Sequence, residues 1–182
     1  DLDAAAAALD SAAAFLVEPV QSMSGVVTPP PGYLEGLRRL CDERGALLIF
    51  DEVQTGLGRL GAPTAAAAYG VWPDLYTFAK GLGSGVPCGA VLAKPELAAR
   101  IHHGYLGSTF GGGPLACAAI HATADAILSR QLWENALGME AVIRLSFKFP
   151  GLKEIRGKGL LLGLVCRKPA REVRDALLAK KE

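Results

Sequence analysis

The chain has 182 residues, 51% of them hydrophobic and 20% charged, with 19 Lys and Arg against 18 Asp and Glu for a net charge of +1. That is about one domain's worth of globular protein, with too few charges for a disordered chain and no concentrated basic patch to make a nucleic acid or a membrane surface an expected partner. Small-molecule chemistry is the default that remains.

Residues 3–9 read as a short Ala-rich helix, and residues 12–17 as an apolar buried strand ended by Glu18-Pro19. After the turn cluster Thr28-Pro29-Pro30-Pro31-Gly32, Leu34, Leu37 and Cys41 recur at helical spacing, and Gly45 supplies a stop. An apolar strand over 46–50 halts at Asp51-Glu52, a small helix covers 62–69, and a third strand over 74–79 is closed by Lys80 and the loop Gly81-Leu82-Gly83-Ser84-Gly85. A fourth strand follows at 89–93. Apolar strands alternating with helices predict an α/β fold, a parallel sheet with right-handed crossovers and helices on both faces.

Beyond it, a helix from Pro95 places His102-His103 at its C-terminus, where imidazole suits the helix dipole. Pro114 opens a long helix with Leu115, Ala119, Ala122 and Ala126 on its packing face, followed by a helix over 132–147, a strand over 160–166 and a last helix over 169–181. Residues 144–182 hold 11 basic and 4 acidic residues, a net +7 against −6 for the rest, interspersed as on a solvated face.

Asp1-Leu2-Asp3 lacks the basic start of a signal peptide, and the longest uncharged stretch, 101–124, is interrupted by three consecutive glycines and a proline, so neither export nor a membrane span is expected. Cys41, Cys88, Cys117 and Cys166 form no CxxC pair, which points to ordinary buried thiols in a reducing, cytoplasmic setting rather than to zinc or dithiol chemistry. No grouping of His, Cys or carboxylates suggests a metal.

In an open parallel sheet, ligands bind beyond the carboxyl ends of the strands, and Asp51 and Lys80 fall at two such ends. If the two strands are neighbours, an acid and an amine face one crevice; taken singly, each is equally a surface charge at a strand end. A lysine in a dry cleft becomes a nucleophilic amine able to form a Schiff base, and an aspartate can hold a protonated pyridine nitrogen. Together they are what a protein contributes to pyridoxal phosphate chemistry. The glycine loop after Lys80 is a weaker nucleotide signal: it is not GxGxxG, and the lysine precedes the glycines instead of following them.

A family resemblance runs through nearly the whole chain in order. Glu18-Pro19-Val20-Gln21, Leu48-Ile49-Phe50-Asp51-Glu52-Val53-Gln54-Thr55-Gly56, Gly58-Arg59, Pro73-Asp74, Ala79-Lys80-Gly81-Leu82, Ser108-Thr109-Phe110-Gly111-Gly112, Pro114-Leu115-Ala116-Cys117 and Arg156-Gly157-Lys158-Gly159-Leu160 resemble the class III pyridoxal-phosphate-dependent aminotransferases, the acetylornithine and ornithine group most of all. The resemblance implies the fold type I architecture of pyridoxal-phosphate transferases. Residues 1–130 would be part of a large domain with a mixed, mainly parallel sheet, and residues 131–182 the start of a small C-terminal domain.

It further implies pyridoxal 5'-phosphate as cofactor, Lys80 as the Schiff-base lysine and proton carrier, and Asp51 as partner of the ring nitrogen. Val53 would lie against the ring, Gln54 would contact its oxygen, and Thr109 would reach the phosphate held by the neighbouring subunit of a homodimer. The implied reaction moves an amino group from an amino acid or diamine to a 2-oxo acid. An aminomutase of the glutamate-semialdehyde kind, or a non-catalytic dimerisation or binding fragment of the same fold, are the alternatives. Met23 stands where ornithine-type enzymes carry a carboxylate, which leaves the donor open, and Gly113 stands where the family has asparagine. Family members are longer than this chain, with a glycine-rich phosphate-binding segment upstream and a substrate-binding arginine downstream. A fragment with the lysine but an incomplete site is the expectation.

Overall fold

The computed structural model describes residues 1–180, so the expected end of the last helix at Lys181 lies outside the described residues. Helix α1 (Leu2–Leu9) is capped by the Asp1 carboxylate, which accepts the Asp3 N–H at 2.9 Å. Strand β1 (Ala14–Val17), helix α2 (Tyr33–Arg44), strand β2 (Leu47–Asp51), helix α3 (Ala65–Tyr69), strand β3 (Leu75–Phe78) and strand β4 (Ala90–Ala93) follow within a few residues of the ranges expected. The strands lie side by side in the order β1-β2-β3-β4.

The sheet is mixed and mainly parallel, as the resemblance implies, and two expectations read from strand composition alone fail. Strands β1, β2 and β3 are parallel, but β4 runs antiparallel to β3, pairing Phe78 with Ala90 and Leu75 with Ala93. A parallel return needs a crossover of a dozen or more residues, whereas the link between β3 and β4 holds one 3₁₀ turn, Lys80–Gly83. Nor do helices cover both faces. Phe15, Val17, Leu48, Phe50 and Tyr76 share one face, where α1 and α2 close a core with Leu9, Leu34, Leu37 and Cys41, and α3 adds Ala66 to that same core. On the other face Leu16 is 62% exposed and Val91 63%.

Asp74 fixes the start of β3. Buried to 7% exposure, it accepts the Leu48 N–H at 2.8 Å, Arg38 at 2.7 Å and Lys94 at 2.6 Å, while its own N–H donates to the Leu48 carbonyl at 2.8 Å. Burial pushes its carboxyl pKa up, but the hydrogen bonds from Lys94, Leu48 and Arg38 outweigh burial and hold it below the ordinary value.

Helix α4 (Pro95–Ala98) is a single turn that ends before His102, so the histidine pair does not cap it; both histidines are exposed, and His102 stands edge-on to Tyr105 with ring centroids 5.3 Å apart. Helix α5 (Pro114–Ser129) forms where Pro114 placed it, but Leu115 and Ala122 are exposed; its inner side runs through Thr123, whose hydroxyl donates to Ser84 Oγ at 3.0 Å. Of the four thiols only Cys41 is fully buried, and Cys117 is exposed.

Helix α6 (Trp133–Ser146) leads into a hairpin of β5 (Leu152–Lys158) and β6 (Leu161–Cys166), and then α7 (Ala170–Ala179). Strand β5 was not expected, because its charged sequence carries no apolar run. Its pairing is supported from outside: Arg144 donates to the carbonyls of Ile155 at 2.6 Å and Gly157 at 2.8 Å, and Glu140 accepts the Gly159 N–H at 2.7 Å. The hairpin turn rests on the first sheet's loops, with the Leu160 N–H donating to the Arg59 carbonyl at 2.8 Å. Gly159 has φ +58° there, and a side chain on it would collide with the backbone of Arg59 and Leu60.

Replacing Asp74 by Asn should cost about 2–3 kcal/mol, at or below the lower end for a broken buried pair because Lys94 keeps solvent access. Since the folded pKa of Asp74 is lowered, its stabilisation is present above the ordinary carboxyl value and is lost as pH falls through the folded value. Urea unfolding of parent and Asp74→Asn should therefore differ most at neutral pH and begin to converge as pH falls below about 3.8.

Candidate active site

The condition that makes Asp51 and Lys80 a pair is met: β2 and β3 are neighbouring parallel strands, and Asp51 registers against Thr77. Asp51 is the last residue of β2, and Lys80 opens the 3₁₀ turn just past the end of β3. Both therefore lie at the carboxyl edge of the parallel strands, where such sheets bind ligands. Asp51 Oδ1 accepts the Val53 N–H at 3.0 Å and the Thr77 hydroxyl at 3.2 Å. These bonds fix the carboxylate and leave Oδ2 without a donor among the described residues.

Lys80 adopts φ +51°, the left-handed region, which costs a non-glycine residue about 1–2 kcal/mol. The 3₁₀ turn holds it there: Leu82 N–H donates to the Ala79 carbonyl at 3.1 Å and Ser84 N–H to the Gly81 carbonyl at 3.2 Å. Strain of this sort persists where the surroundings over-determine it, and it is common at functional sites. No dry cleft encloses this lysine among the described residues. Lys80 is exposed, because the described residues build a floor beneath it and no roof.

Lys80 shares a cleft of about 550 Å³ with Val53, Gln54, Arg59, Thr123 and Leu160. Asp51 lines a neighbouring cleft, also about 550 Å³, with Glu18, Gln21 and Tyr33. Asp51 belongs to the face of Leu16 and Ile49, opposite Phe50. The structure thus gathers Lys80, Val53 and Gln54, sets Asp51 one cleft away, and leaves Thr109 out of both. Thr109 lies exposed in the segment preceding α5.

One buried carboxylate beside the site escaped the sequence reading. Glu52, only 1% exposed, accepts the N–H groups of Ala65 at 2.7 Å and Ala66 at 3.0 Å and the Thr55 hydroxyl at 3.3 Å. Burial raises its carboxyl pKa, and those three hydrogen bonds oppose the rise without cancelling it. Beside Asp51 it reads as a second strand-end charge; the available signal is a carboxylate one residue beyond an apolar strand with a small helix following.

The Aminotransferase class-III family matches residues 2–182, and the chain belongs to that family. It is 49% identical over 157 residues to the acetylornithine aminotransferase of Methanopyrus kandleri, which covers 85% of this chain and 40% of that protein. The crystal structure of the acetylornithine aminotransferase from Elizabethkingia anophelis superposes with a TM-score of 0.88 at 36% identity, covering 98% of this chain and 48% of that one. An ornithine aminotransferase from Toxoplasma gondii, described as having partial occupancy of PLP at its active site, superposes with a TM-score of 0.83 at 39% identity, covering 91% of this chain and 41% of its own. The chain spans under half the length of each.

The family and these neighbours bear out the α/β, fold type I expectation and imply pyridoxal phosphate as the cofactor. The donor set fits that group: Asp51 Oδ2 belongs to a fixed carboxylate and has no donor among the described residues, and Lys80 is an accessible amine in the turn that follows the next strand. Among the described residues no cluster of His, Cys or carboxylates could hold a metal, and no helix is long and apolar enough to cross a membrane.

Because the folded pKa of Glu52 is raised, the folded state holds this proton more tightly than the unfolded one, and its contribution to stability falls as pH rises from 4.5 through the raised value. Denaturation profiles of Glu52→Gln should lack this decline, while the parent shows it.

Proposed function

We propose that the protein is a pyridoxal-phosphate-dependent aminotransferase that moves an amino group from an amino acid or diamine to a 2-oxo acid. The observation that carries this reading is the register of β2 against β3, which sets Asp51 and Lys80 at adjacent strand ends in a chain of the class III family. When bound, the cofactor supplies the electron sink for the carbon that exchanges its amino group.

The chain's own residues divide the remaining work. Lys80 Nζ would anchor the cofactor and would carry the proton to and from the reacting carbon as a general base and acid. Asp51 Oδ2, on a carboxylate held by the two bonds to Oδ1, would partner the ring nitrogen. Val53 would lie against the ring, and Gln54 would contact its oxygen. Gly81 beside Lys80 leaves open space, its nearest possible contact being Leu57 at 3.9 Å, and so gives the lysine room to move.

Thr109 serves the phosphate site of a second copy in a homodimer. The segment around it favours this role: Tyr105 is 70% exposed, Leu106 76% and Phe110 88%, an apolar stretch suited to burial against a partner. Residues 1–130 belong to the large cofactor-binding domain and 131–182 begin the small one. The four free cysteines favour a reducing, cytoplasmic compartment. Met23, fully out in solvent, supplies no carboxylate to sort donors, so a donor other than ornithine or acetylornithine is compatible with the chain.

The test is an absorption spectrum with added pyridoxal phosphate. The parent should develop a visible band that an amine donor bleaches, and Lys80→Ala should show none. Indistinguishable spectra from parent and variant would refute the assignment of Lys80.

A further inference from the structure

The turn that brings Val53 and Gln54 to the Lys80 cleft is held by a carboxylate that the proposed reaction does not use. Glu52 makes five hydrogen bonds in three directions. Its side chain takes the first two N–H groups of α3 and the Thr55 hydroxyl. Its own N–H donates to the Thr77 carbonyl at 3.0 Å, and its carbonyl accepts the Gly56 N–H at 3.0 Å. The residue thus ties the end of β2 to β3, to the start of α3 and across its own turn. Gly56 closes that turn against β3, where a side chain would come within 2.7 Å of the Phe78 ring.

The chemistry of this contact calls for a full-length carboxylate. Two adjacent backbone N–H groups and one hydroxyl converge on Glu52, and two carboxylate oxygens satisfy all three with no hydrogen left over. A glutamine would turn an NH₂ toward a backbone donor, leaving a buried N–H unpaired. The Glu52 carboxylate bonds to α3 and Thr55 while that of Asp51 bonds to Val53 and Thr77 and keeps Oδ2 open, so the residue pair places one carboxylate on the ligand side and its neighbour on the framework side.

We propose that Glu52 is a positioning residue for the cofactor: by locking residues 52–56 to α3 and β3, it sets where Val53 and Gln54 meet a ligand bound at Lys80. The proposal rests on the aminotransferase reading above, and it concerns how tightly the chain grips the cofactor rather than the chemical step.

The test measures pyridoxal phosphate affinity by absorption titration of the whole protein, alongside peptide-level amide hydrogen exchange. Glu52→Gln should weaken binding by about tenfold or more, as misplacement of contact groups does. It should also speed exchange in residues 53–57 by about tenfold. Thr55→Val, which removes one of the three donors, should move both readouts the same way by less, and it carries the test if Glu52→Gln does not fold. Thr64→Ala removes the other cap of α3, a bond from Ala67 N–H at 3.1 Å, without touching the turn. It should leave both readouts within about twofold.

Faster exchange with unchanged affinity would overturn the proposal, as would equal effects from Glu52→Gln and Thr64→Ala. A parent protein with no Lys80-dependent pyridoxal phosphate signal would overturn the aminotransferase reading and this proposal with it. That outcome is told apart from a failure of Glu52 alone because the parent is compared with Lys80→Ala before any Glu52 variant is measured.

Discussion

The pairing of β2 with β3 is pinned at both ends by groups outside the regular ladder. At the start, Asp74 exchanges bonds with both the N–H and the carbonyl of Leu48 while drawing in Arg38 and Lys94. At the finish, Glu52 N–H closes onto Thr77. A slip of one residue would send Leu48 and Phe50 from the core to the bare face and carry Asp51 away from Thr77. The same register that buries the core therefore sets the separation of the acid and the amine, and packing and chemistry cannot be varied independently here.

Around that register the two parts of the chain meet on short, tightly packed loops. The β5–β6 hairpin reaches the first sheet through Gly159 and Leu160 against Arg59, and Lys158 donates to the Ala68 carbonyl at 3.3 Å while standing 5.3 Å from the centre of the Tyr69 ring. Arg59 and Leu160 also line the Lys80 cleft. Gly159, far from Lys80 in sequence, thus lets the hairpin pack on the Arg59 loop that lines the Lys80 cleft. A bulkier residue at Gly159 would act on the cleft by prising the hairpin off the loop.

Much of this was legible in the sequence, for identifiable reasons. Apolar runs bounded by Pro19, Asp51 and Lys80 mark β1, β2 and β3, and Gly45 and Pro114 mark a helix end and a helix start, because each acts through local backbone chemistry. The direction of β4 was not legible, since an apolar run does not state which way it pairs. Strand β5 was missed because Arg144 and Glu140, many residues away, supply its support. The bare sheet face and the exposure of Lys80 depend on what packs over them, which strand composition does not record. Asp51 and Lys80 stood out as charges at strand ends, whereas Glu52, equally charged and equally placed, needed its burial and its bonds to α3 to be told from them.

The central claim is that the β2–β3 register makes Lys80 the residue that holds the cofactor. The direct measurement is to incubate the protein with pyridoxal phosphate, reduce the adduct with borohydride and map the modified residue by peptide mass spectrometry among the eight lysines. The account requires stoichiometric label on Lys80 and background label elsewhere. Label spread over the surface lysines, with Lys80 no more modified than Lys153 or Lys168, would contradict it.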